Sequence, residues 1–355
     1  MDFDPRSLIP EPEEWSRIRL RGADEASRAW WLARLARACQ RPLVVLEADH
    51  RQLRFVETNL RYFLNSGGGE DFSIFTFPAW DVYSYARLSP SSEVMGERMA
   101  ALDALLRQEA CIVLTTPDAL AGRLPPLSRL GERTFTLREG EPLEREGFLT
   151  VLENLMYQRR SVVESPGEYA VRGGIVDFFS PQENHPFRLD QRGDEIDSLR
   201  AFHPQTQRTL HTHAEARVFP AREVILNEEE RRRGAAELRE RAADEPDLSR
   251  RVERLLDQLE GYRHFAGMEG LSPLFYAGMD TFFDAVPAEA VWVVDGSEAV
   301  SARSRDYWNE LEEEASLAAE RGLIGFPPER MWMPPGEIEA GLSLWPRLEF
   351  DPLGL

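Results

Sequence analysis

The residues whose types and spacing could do chemistry lie at a strand, turn and helix corner early in the chain. RIRL at 17–20 reads as a strand, Gly22 as its turn, and a helix opens at about Asp24. Such a corner cradles phosphates, because unpaired backbone N–H groups and the helix dipole both point at the turn. Laid on the pattern Gly-x-x-x-x-Gly-Lys-[Ser/Thr], it supplies Gly22 and then Ser27, Arg28 and Ala29 where Gly, Lys and a hydroxyl residue are required. Arg28 offers a wide fork in place of a slim ammonium, and Ala29 has no oxygen for Mg2+. Asp24 and Glu25 put negative charge where phosphates would sit. The corner therefore reads as a degenerate, non-binding phosphate loop. The plainer alternative is that Gly22 is a turn glycine and the two acids complement the helix N-terminus. A second position is degenerate in the same sense. The apolar run AVWVVDGSE (290–298) would hold Mg2+ and orient water if it ended in an acidic pair, but Asp295 is followed by Gly296. Asp295 could equally cap the helix that follows. No catalytic residue, metal or cofactor is expected.

Composition narrows the chemistry further. All 42 basic residues are arginine, which removes lysine Schiff bases, lysine general bases and a phosphate-loop lysine. With 62 acidic residues the formal net charge is −20. Such a surface repels the phosphate backbone, so nucleic-acid binding needs a local basic patch that overrides the mean. Cys39 and Cys111 sit in apolar stretches without ligand spacing and read as buried free thiols in a reducing cytosol. The acidic start MDFDPRSLIPEPEEW and the lack of any long apolar run point to a cytoplasmic chain without a membrane partner. His211 and His213 share a strand face but have no acidic or Cys partner at ligand spacing, so they read as solvated. Trp30, Trp31, Trp80 and Trp292 read as core packing, and Trp308 sits among polar helix residues.

Several elements must position these groups. From Ser16 to about Thr116, β-rich runs (17–20, 41–49, 71–77, 110–116) alternate with helical stretches, one at about 24–39 and another at 92–108, which is the signature of a parallel sheet flanked by helices. Gly67, Gly68 and Gly69 mark a turn before the third run. After RLPPLSR the period falls toward two, and a helix at 143–157 precedes strands that read as antiparallel. Beyond Pro220 a charged helical region leads to the strand 290–295, which restores the α/β pattern. The expected fold is α/β: a degenerate parallel sheet drawn from segments 1–125 and 221–355, with an antiparallel α+β domain inserted at 126–220.

The run from Glu164 to Leu210 carries Gly167, Tyr169, Arg172, Gly173 and Asp177, then Pro186 and Arg188, then Asp194 to Arg200, and Phe202 to Arg208. It resembles a motif shared by the excision-repair protein UvrB and the bacterial transcription-repair coupling factors (Mfd). The stretch FPAWDVYSYARLSPSSEVMGERMAALDAL (77–105) is similar to the coupling-factor version, which has little room for the damage-probing hairpin of UvrB. The failed phosphate turn agrees. The resemblance spans almost the whole chain, in the domain order 1A, 2, 1B of the UvrB-like N-terminal module.

That resemblance implies a non-catalytic adaptor, which recruits UvrA to stalled transcription complexes in nucleotide excision repair through the inserted domain. RNA polymerase and DNA would be met only through regions of the parent family that are absent here. The alternative is an ATP-dependent damage-verifying enzyme of the UvrB type. The family's UvrA contact carries over to Arg172, Arg188 and, at a position the family fills with an aromatic, Arg192. Strand alternation puts Arg188, Asp190 and Arg192 on one face and Phe187 and Leu189 on the other. A planar guanidinium suits such a contact because it can grip a carboxylate bidentately. The competing reading is that these arginines keep the strands solvated and pair with Glu168, Asp190 or Asp194.

Overall fold

The runs LVVL, CIVLT and VWVVD have no polar alternation, so both their faces must be covered. In the computed structural model they are the central strands of a parallel sheet. It describes residues 18–351, apart from 23–24, 66–71, 83–84, 87, 245–248 and 262–263. The turn at Gly67 to Gly69 and the side chains of Asp24 and Glu25 therefore lie outside the described residues. In chain order the first half runs β1 (Ile18–Arg21), α1 (Glu25–Cys39), β2 (Leu43–Leu46), α2 (His50–Asn65), β3 (Ser73–Phe77), α3 (Ser92–Leu106), β4 (Cys111–Thr115), α4 (Pro117–Ala121) and α5 (Ser128–Glu132). The middle comprises β5 (Phe135–Arg138), α6 (Arg145–Asn154), β6 (Gln158–Arg159), β7 (Glu168–Arg172), β8 (Ile175–Phe178), β9 (Phe187–Arg192), β10 (Glu195–Phe202), β11 (Thr209–His213) and β12 (Glu215–Val218). The rest is α7 (Glu228–Asp244), α8 (Ser249–Glu260), α9 (Ser272–Phe275), α10 (Phe282–Ala285), β13 (Val291–Asp295), α11 (Ser297–Glu320), α12 (Pro335–Ser343) and β14 (Arg347–Asp351).

The parallel sheet has the order β1-β14-β13-β2-β4-β3, so it draws strands from both ends of the chain. Alternation along each strand divides its core in two. Leu43, Val45, Ile112, Leu114 and Val293 face α1 and α2, whereas Val44, Leu46, Val113, Trp292 and Val294 face α3, α11 and α12. All strands of the second large sheet, β11-β10-β9-β8-β7-β6, come from the middle of the chain. They are antiparallel except for the short β6–β7 pair. One face of that sheet buries Tyr169, Val176, Phe178, Phe187, Leu189, Ile196 and Leu199 against Phe148 and Leu152 of α6. The small β5–β12 pair closes the entry and exit of this region.

Two of the expectations need correction. Trp30 is 41% exposed, because it lies on the flank of α1 next to Arg34, whose guanidinium sits 4.9 Å from its ring centroid. Cys39 is half-buried, while Cys111 is fully buried and its thiol is pushed up to about 12 by that burial. One glycine of the motif has a clear steric reason. Gly167 has φ +78°, and a Cβ there would come within 2.9 Å of Ala221 Cβ, just after β12 where the chain leaves the region. Gly167→Ala is therefore expected to cost about 1–2 kcal/mol from the left-handed backbone alone, before any relief of the clash. A urea midpoint unchanged from the parent would refute this.

Candidate docking face and the Gly22 corner

The inserted sheet presents its second face by register. Ala170 pairs with Asp177, Asp177 with Arg188, and Arg188 with Arg200, so these side chains line one row across four strands. Within that row Arg188 is not free. Its Nε and Nη2 donate to the two Asp177 oxygens at 2.7 and 2.8 Å, and its guanidinium lies 4.5 Å from the Phe202 ring centroid. The Asp177 side chain is 1% exposed and that of Arg188 17%. Val163, Ala170, Phe179 and Phe202 pack around this pair and cover the inner part of the face. Arg188, which alternation places on the polar face, is drawn inward by this bidentate pair with a buried carboxylate.

The outer end is different. β7 and β8 join through Gly173 and Gly174, and β9 and β10 through Gly193 and Asp194. Both tips lie at the same end of the sheet, and φ of +57° at Gly173 and +64° at Gly193 gives each turn its left-handed corner. Arg172 and Arg192 are the last strand residues before these tips. Arg172 is exposed, and donates Nε and Nη2 to the single carbonyl of Ser161 at 3.3 and 2.8 Å. Arg192 is 84% exposed, with Asp197 at 2.9 Å. None of the acids foreseen as partners is used: Glu168 meets Arg160, and Asp190 meets Arg200. Sequence reasoning missed Arg145, on the first turn of α6, which donates to the carbonyl of Gly173 and brings a third guanidinium to this end. Its separation of 28 residues from the tip leaves no local signal.

The helix after Gly22 is tied to the strand β13 by an ion pair. Gly22 has φ +87°, Ser27 is exposed, and Ala29 is fully buried in the core beneath α1. Arg28, at the position where a lysine would grip phosphate, donates to both oxygens of Asp295, where an acid would hold a metal. Both side chains are largely shielded, at 14% and 7% exposure. The N-cap of α11 is Gly296 in the left-handed region, so the capping role considered for Asp295 gives way to this ion pair. Among the described residues no cluster of three or more His, Cys, Asp and Glu could hold a metal ion.

A second constellation also escaped the sequence. Ser89, His264 and Glu269 meet beside Arg222, which donates to Glu269 at 2.9 Å and to the Pro90 carbonyl. It is not a nucleophilic triad. His264 Nε2 faces both Glu269 Oε1 at 3.0 Å and Ser89 Oγ at 3.2 Å, so the ring cannot relay a proton from one partner to the other. The Ser89 hydroxyl donates to the carboxylate instead. Burial pushes the Glu269 carboxyl upward, but His264, Arg222 and the Ser89 hydroxyl outweigh it and hold it at about 2. This is a structural polar seam.

Residues 135–224 match the family described as the UvrB interaction domain. The chain is 31% identical over 358 residues to the transcription-repair-coupling factor of Myxococcus xanthus, covering 98% of this chain and 30% of that protein. It is 30% identical over 275 residues to the Haemophilus influenzae factor (77% and 24%) and 27% identical over 328 residues to that of Escherichia coli (91% and 27%). The chain thus spans less than a third of the length of the curated relatives it matches. Among the described residues no helix is long and apolar enough to cross a membrane.

Proposed function

Because this chain is a transcription-repair-coupling-factor homologue along 98% of its length and carries a UvrB interaction domain, we propose that it is a docking adaptor of nucleotide excision repair. Its inserted region, about 126–220, recruits UvrA, and the flanking segments 1–125 and 221–355 form the scaffold. The observation that carries this reading is the pairing of Arg172 and Arg192 at adjacent hairpin tips, both exposed and both at one end of the sheet. Exposed guanidiniums at the tips of a rigid sheet, each held by a neighbour (the Ser161 carbonyl and Asp197), can turn to grip carboxylates of a partner, a role for which arginine is enriched at interface hot spots. Arg188 belongs to the same contact through its remaining exposed edge, and also aligns the face through Asp177.

The α/β layer takes no part in nucleotide chemistry on this reading. Arg28 and Asp295 neutralise each other where a triphosphate and its metal would bind, and Ala29 contributes a buried methyl group instead of a metal-binding hydroxyl. Bringing in ATP·Mg2+ would mean breaking a shielded ion pair and seating a polyanion beside a freed carboxylate.

The test uses the whole chain and immobilised UvrA. Arg172→Ala with Arg192→Ala is expected to weaken capture at least thirtyfold, equivalent to about 2 kcal/mol, with an unchanged melting curve because both side chains are exposed. Equal capture by parent and variant would overturn the docking assignment. Isothermal titration with ATP and Mg2+ should give no binding heat in the micromolar range. A clear isotherm would instead favour the ATP-dependent, damage-verifying alternative.

A further inference from the structure

The chain is strongly acidic overall, yet one face inverts that sign. Between Arg28 and Asn65 there are seven arginines against three acids, Glu47, Asp49 and Glu57, and Glu47 is buried. Arg28 is engaged with Asp295, and the others sit on or beside α1 and α2. These helices lie side by side: Arg37 on α1 donates to the carbonyl of Leu64 on α2. Trp30, Arg34 and Arg37 follow one another at helical spacing on the same flank of α1. On α2 the buried stripe is Leu53, Val56, Leu60 and Leu64. At about 3.6 residues per turn, Arg51, Phe55 and Tyr62 fall on the opposite side, directed at solvent.

Among the described residues, the three aromatic side chains that are exposed belong to this helix pair: Trp30 at 41%, Phe55 at 44% and Tyr62 at 68%. The exposed aliphatics, such as Leu88, Leu210, Leu317 and Leu344, lie on other segments. A face with exposed rings and guanidiniums and, among the described residues, no exposed large aliphatic side chain is not built like the apolar core of a protein interface. It has the two groups that a single nucleic-acid strand requires: π faces for bases and fixed cations for phosphates. The acidic remainder of the molecule would confine a polyanion to this surface.

The geometry points to a second binding face: the outer surface of α1 and α2 binds single-stranded nucleic acid. Phe55 and Tyr62 are two helical turns apart, about 10 Å, so they stack on bases that are close but not adjacent along the strand. Arg34, Arg51 and Arg54 or Arg61 meet the backbone, with Glu57 holding Arg54 and Arg61 in place at 3.0 and 2.9 Å. This face is separate from the hairpin tips of the inserted region, so its failure and that of UvrA docking are read by different variants.

The test is fluorescence anisotropy of a labelled oligothymidylate of about 20 nucleotides with the full chain at low salt. Binding is expected to weaken with salt along a log–log slope of about −2, for three phosphate contacts at about 0.7 each. Phe55→Ala with Tyr62→Ala should weaken it about tenfold or more at an unchanged slope, and Tyr62→Trp should retain it. Arg51→Ala should flatten the slope by about 0.7. Melting curves of these exposed-site variants should coincide with the parent, which keeps a loss of binding distinct from a loss of fold. No anisotropy change, equal binding by the double aromatic variant, tighter binding of a duplex of the same length, or equal binding of polyglutamate would each overturn the proposal.

Discussion

Asp177→Ala is expected to lower stability by about 3–5 kcal/mol, and Arg188→Ala by a similar amount, because either change leaves an ionised group shielded from water without its partner. The geometry makes the pair unusually interdependent. Asp177 is 1% exposed and both its oxygens are used by Arg188, whose guanidinium also rests on Phe202. Replacing both at once, as Asp177→Leu with Arg188→Met, should restore most of the loss, since no buried charge then remains unpaired. Urea denaturation of the two single variants and the double variant measures this directly. Losses below about 1 kcal/mol in both single variants would show that the pair does not hold the sheet. The same set separates two roles of Arg188. An adaptor that uses Arg188 as a contact will bind UvrA weakly even when the double variant has regained its stability. One that uses it only to align the face will regain both together.

That ambiguity shows where sequence reading stops. The alternation in FRLDQR correctly separates Phe187 and Leu189, which are buried, from Arg188 and Arg192, because a strand covered on one face has a strict period of two. Alternation does not say which residues stand opposite. Asp177 meets Arg188 only because β8 and β9 pair in one register, eleven positions apart along the chain. The central strands of the parallel sheet were legible for the opposite reason: they lack alternation, so they must be buried on both faces. At the corner after Gly22, the departures from a phosphate-loop pattern at Ser27, Arg28 and Ala29 are read directly from the chain. The ion pair there was not legible, since Arg28 and Asp295 are 267 residues apart and meet only when β13 enters the sheet between β2 and β14. Trp30 was misassigned because a single large apolar residue on an amphipathic helix gives no warning that it lies on the flank.

The same limit hid the seam formed by AREVIL (221–226), where the chain returns from the inserted region. All six residues are buried, and the two charged ones reach different parts of the α/β layer. Arg222 donates to Glu269 and to the Pro90 carbonyl, while Glu223 accepts from Arg98 of α3, itself stacked on Phe77. Acid should open this seam through Glu269. Its carboxyl is held at about 2 against an ordinary 4.5, with burial opposed by the larger combined effect of His264, Arg222 and Ser89. A depressed carboxylate contributes stability that is complete above the unfolded value, here about 4.5, and is lost as pH falls through the folded value of about 2. The full contribution is about 3 kcal/mol, of which roughly 2 kcal/mol is gone by pH 3. Asp103, Asp118 and Glu183 act in the reverse sense, because burial raises each of them and acid relieves their penalty. The informative quantity is therefore the stability gap between the parent and Glu269→Gln, followed by urea denaturation from pH 7 to pH 3. The gap should be widest near neutrality and shrink by about 2 kcal/mol at the acid end. If it stays constant over that range, Glu269 is not the group whose ionisation holds the seam, and its partners Arg222 and His264 act by packing alone.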